Sequence, residues 1–99
     1  MIFLTEKIRK RDRIEVFVYD SLEDLVQRVD WQDILDNSLR ILDEDGNLYV
    51  WDESKRTEVG TVFDYSFKTN GTDFELVKKC KDKFNQLGQP DSFEIETVT

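Results

Sequence analysis

The chain predicts an α+β fold, a mainly antiparallel sheet of about five or six strands with two helices packed on one face. Three observations lead there. Short β-branched and aromatic runs recur between turn-forming residues, and only two stretches carry sustained helical periodicity. Adjacent strand segments are joined by turns too short for the crossovers that parallel pairing needs. With 99 residues, one domain spanning 1–99 is expected. A small, strongly curved barrel with helical decoration is the alternative arrangement.

The first strand is predicted over residues 2–8. Ile2, Leu4 and Ile8 fall on one parity and Phe3, Thr5 and Lys7 on the other, and Ile2-Phe3-Leu4 form a continuous apolar run. Lys10-Arg11-Asp12-Arg13 reads as a polar turn. Residues 14–19 make a second strand, with Ile14, Val16 and Val18 on one face and Phe17 and Tyr19 on the other. Asp20-Ser21 then supplies an N-cap, and Leu22, Leu25, Val26 and Val29 follow at i, i+3, i+4 and i+7, one face of a short helix. Asp30 can cap a further turn in which Trp31, Ile34 and Leu35 share a face.

Residues 39–42 and 47–51 are apolar runs around Asp43-Glu44-Asp45-Gly46, where glycine can take the positive φ of a tight hairpin. Val59, Thr61, Phe63, Tyr65 and Phe67 alternate against Gly60, Val62, Asp64, Ser66 and Lys68, predicting a strand that Asn70-Gly71 ends. Thr72 and Glu75 have the spacing of a capping box. The helix they open carries a stripe of Phe74, Val77, Phe84 and Leu87, flanked by Leu76 and Cys80, and Gly88 and Pro90 stop it. Phe93, Ile95 and Thr97 alternate with Glu94 and Glu96 in a last short strand or ordered tail.

Composition excludes several functions. The chain has no histidine and one cysteine, which removes His-dependent acid–base sites, His/Cys zinc sites and intramolecular disulfides. Cys80, with no histidine to activate it, reads as a small buried hydrophobe. The four glycines stand singly, so no phosphate-binding loop is formed. In Asp43-Glu44-Asp45-Gly46-Asn47 the glycine follows the second aspartate directly, which breaks the calcium-loop spacing and leaves a hairpin turn. No catalytic residue, metal site or cofactor is expected, and the chain reads as a binding protein rather than an enzyme. No apolar segment has the length of a signal-peptide core or a membrane span, and a lone free thiol suits a reducing compartment, so a cytoplasmic location is expected.

The net charge of −8 is unevenly spread: residues 14–58 hold thirteen acidic and four basic side chains, whereas 1–13 and 77–90 are each net positive. The overall field repels nucleic acid, so direct nucleic-acid binding is not expected. Asp33, Asp36, Asp43, Glu44, Asp45, Asp52 and Glu53 lie in the helix-to-hairpin region and its exit, where a shared surface of negative potential would attract a basic partner. Tyr49 and Trp51 are the candidate apolar anchors of that surface. Two readings stay open: these acids are caps, turn formers and solubilising charge, or they form a partner-binding patch. Trp51 likewise suits either a core or an interface.

Ser21-Leu22-Glu23-Asp24-Leu25, Trp31-Gln32-Asp33-Ile34 and the run from Arg40-Ile41-Leu42 through Asp43-Glu44-Asp45-Gly46-Asn47-Leu48-Tyr49 together resemble small acidic immunity proteins of bacterial polymorphic and contact-dependent toxin systems. The resemblance implies a cytoplasmic inhibitor that binds one toxin domain, often a basic nuclease, and blocks its active site. A second expectation from the same acidity is a DNA mimic, encoded by a phage or mobile element, that occupies the nucleic-acid groove of a defence protein. That reading requires carboxylates spaced like phosphates along one face.

Overall fold

The computed structural model describes residues 1–8, 12–28, 39–51 and 67–96. Their elements run β1 (Ile2–Ile8), β2 (Arg13–Tyr19), α1 (Leu22–Arg28), β3 (Leu39–Asp43), β4 (Asn47–Trp51), β5 (Phe67–Thr72), α2 (Phe74–Gln86) and β6 (Ser92–Glu96). The six strands form one sheet in the order β5-β4-β3-β1-β2-β6, and every neighbouring pair is antiparallel. The fold is therefore α+β, with an open sheet whose outer strands are β5 and β6 rather than a closed barrel.

The helices lie on opposite faces of the sheet, which corrects the expectation that both pack on one. On the first face, Phe3, Val16, Leu42, Phe93 and Ile95 bury themselves against Leu76, Val77 and Cys80 of α2. On the second, Ile2, Leu4 and Ile41 pack with Leu25 of α1, joined by the partly buried Phe17, Tyr19 and Tyr49. The reason is visible in β1, whose first four residues are all buried although their side chains alternate between faces. A strand covered on both sides reads as an unbroken apolar run, as Ile2-Phe3-Leu4 does. Thr5 tolerates the same burial because its hydroxyl donates to the Arg40 carbonyl at 3.1 Å.

Helix α1 begins as expected, with the Ser21 hydroxyl accepting from the Asp24 amide at 3.1 Å. Leu25 is its fully buried contact. The further turn expected at Trp31, Ile34 and Leu35 lies outside the described residues, as does the strand expected over 59–66. What is described of that strand is β5, and it does not stop at Asn70-Gly71. Between the pairs Asn47/Thr72 and Tyr49/Thr69, β5 carries one more residue than β4, and Gly71 absorbs it at φ +81°. Asn70-Gly71 is thus a bulge within the strand.

Helix α2 starts one residue later than the capping-box spacing predicts. Its N-cap is Asp73, whose carboxylate accepts from the Leu76 amide at 3.1 Å, while its other oxygen accepts from Arg40 Nη1 at 2.9 Å. An aspartate here satisfies an orphan helix amide and ties α2 to β3 with one side chain. The residues that α2 buries are Leu76, Val77 and Cys80. Phe84 sits half-buried between Phe3 and Phe93, its ring edge-on to Phe3 at 6.1 Å. The ends of the expected stripe, Phe74 and Leu87, are instead 65% and 50% exposed. No helix among the described residues is long and apolar enough to cross a membrane.

Candidate functional site

The β3–β4 turn holds the described part of the acidic surface expected from the sequence, and much of its charge is engaged inside the fold. Asp43 accepts four hydrogen bonds, each at 2.9 Å: from the amides of Asp45 and Asn47, from Asn47 Nδ2 and from the Tyr49 hydroxyl. Burial works to raise the Asp43 pKa, but these donors outweigh it and hold the carboxyl below its ordinary range. The Tyr49 hydroxyl is pushed above its ordinary pKa, first by donating to Asp43 and then by burial. Both residues therefore fasten the hairpin.

Glu44 pairs with the terminal ammonium of Met1 at 2.8 Å, and that hydrogen bond lowers its pKa. Its carbonyl accepts from Lys81 of α2 at 3.3 Å. Asp45 is exposed. Gly46 is buried at φ +88°, and a Cβ there would stand 3.0 Å from Phe74 Cδ1 and 3.1 Å from Val77 Cγ1. Only glycine meets both demands. The turn is thus pressed beneath the start of α2 and sealed by the Asp73 amide donating to the Gly46 carbonyl at 2.9 Å.

Of the other expected site residues, Asp33, Asp36, Asp52 and Glu53 lie outside the described residues. Trp51 is the last residue of β4, in register with Phe67 of β5. The structure accordingly brings Asp43, Glu44, Asp45 and Tyr49 together at one hairpin and gives Asp43 and Tyr49 internal partners.

A second acidic group is present that the sequence reading missed. Glu6 stands directly opposite Glu15 in the β1–β2 ladder, and Glu15 directly opposite Glu94 in the β2–β6 ladder. Direct opposition puts all three side chains on one face, the face that carries α1, in a row across three adjacent strands about 4.8 Å apart. Glu6 is exposed and Glu15 and Glu94 are half-buried. Among the described residues one cation meets the row: Arg13 Nε donates to Glu94 Oε2 at 3.0 Å. In β1, Asp43 pairs with Ile2 and Glu15 with Glu6, so the row and the acidic turn lie about 13 Å apart along the strand. The signal in the sequence is slight, each glutamate merely alternating with apolar neighbours. Pairing β1 with β2, and β2 with the distant β6, in register is what assembles it.

The remaining chemistry is sparse. Cys80 is buried, and that burial, with Asp73 adding to it, pushes the thiol up to about 12. Among the described residues, no group of three or more carboxylate or thiol side chains is placed to hold a metal ion. Every buried side-chain nitrogen or oxygen among them has a hydrogen-bond partner. Compared with known protein families, with curated proteins and with solved structures, the chain gives no match in any of the three.

Proposed function

We propose that the chain is a cytoplasmic inhibitor of the immunity type, which binds a basic, nuclease-like toxin domain through an acidic surface and occludes its active site. The observation that carries this reading is the glutamate row Glu6, Glu15 and Glu94. Like charges held directly opposite one another destabilise a sheet. A partner that brings arginine or lysine to the row relieves that repulsion as it binds, whereas dispersed surface acids offer no such gain. The carboxylates stand on paired strands, so little backbone ordering opposes association. The net charge of −8 adds long-range steering toward a basic surface. The absence of histidine from the sequence and the unreactive setting of Cys80 support binding over catalysis.

The row is preferred to the β3–β4 turn as the centre of contact because Asp43 and Tyr49 are spent on each other and Glu44 on the amino terminus, whereas among the described residues Arg13 engages one glutamate of the three, Glu94. A DNA mimic would need one continuous line of carboxylates. Among the described residues two acidic groups stand separated along β1, which favours a compact contact with protein instead. The test is capture of partners by the tagged protein from its own host, with washes of rising salt and identification by mass spectrometry. The inhibitor reading expects one basic polypeptide, released by salt or denaturant. A retained complex that handles nucleic acid would favour the mimic, and an empty capture would count against both.

A further inference from the structure

We draw no further inference here: the strongest candidate, the exposed ring of Phe74 at the start of α2 above the acidic β3–β4 turn, is a single apolar side chain, and nothing in the structure shows what covers it.

Discussion

Glu15 faces Glu94 directly across the β2–β6 ladder, and on its other side it faces Glu6 across β1. A central carboxylate flanked by two others is expected to raise the energy of the folded state, even with Arg13 on Glu94, and to concentrate negative potential on the face that carries α1. Replacing Glu15 by Gln keeps the shape and removes both repulsions. Glu15→Gln is expected to raise stability by about 0.2–1 kcal/mol in low salt. The gain should shrink in 1 M salt, where screening has already weakened the repulsion. Urea denaturation at the two salt concentrations reads this directly, and a loss of stability at low salt would refute the repulsive row.

Gly46 and Phe74 give a second, separable expectation. Gly46→Ala combines positive φ with a contact too close for Phe74 and Val77, and should cost about 1–3 kcal/mol. Phe74→Ala alone should cost under about 1 kcal/mol, because the ring is mostly exposed. In the double variant the clash with Phe74 is gone while the φ strain remains. Its cost should therefore fall short of the sum of the two single costs. Strict additivity in a thermodynamic cycle would show that the ring does not press on the turn.

The Asp43 carboxylate links the hairpin to pH. Its pKa is lowered in the folded chain, so the stability it contributes is complete above its ordinary value of 3.8 and is lost as pH falls through the folded value. Asp43→Asn should destabilise the protein at neutral pH by about 1–3 kcal/mol, since an amide cannot accept all four donors. The difference between wild type and variant should narrow only below about pH 4. A difference constant from pH 7 down to pH 2 would mean that the carboxylate charge contributes nothing to the turn.

Cys80 should ignore thiol reagents in the native state. Its thiol is buried beneath α2 and its pKa is pushed up to about 12, so at neutral pH both access and thiolate are lacking. Labelling should follow global unfolding in denaturant. Rapid labelling of the native protein would place the thiol at the surface and contradict the packing of α2. The same shift makes its contribution to stability complete below pH 9.0 and lost as pH rises toward the folded value.

Local chemistry made much of the fold legible. The two faces of β2 were plain in Ile14, Val16 and Val18 against Phe17 and Tyr19, and the positive φ of Gly46 followed from an Asp-Gly turn between apolar runs. What local pattern could not convey was layering. Ile2-Phe3-Leu4 is a continuous apolar run, but nothing near it says that both faces are covered or which helix covers which, because that depends on pairings between distant segments. The start of α2 was missed by one residue because Thr72 and Asp73 are both good caps. Asp73 prevails by also reaching Arg40.

The candidate site was legible in a different measure. Composition showed the acidity and the hairpin showed where several acids meet, but hydrogen bonding inside the turn decides that Asp43 and Tyr49 serve the fold. The glutamate row was invisible for the opposite reason. Glu6 and Glu15 stand on consecutive strands but Glu94 is far from both in sequence, and each looks like the polar half of an ordinary alternating strand until register puts them side by side.

The most direct test measures the affinity of the captured partner for wild type, for the triple variant Glu6→Gln, Glu15→Gln, Glu94→Gln, and for the turn variant Glu44→Gln, Asp45→Asn. The account predicts that the triple variant stays folded and loses about tenfold or more in affinity at low salt, while the turn variant stays close to wild type. Unchanged affinity in the folded triple variant would contradict it.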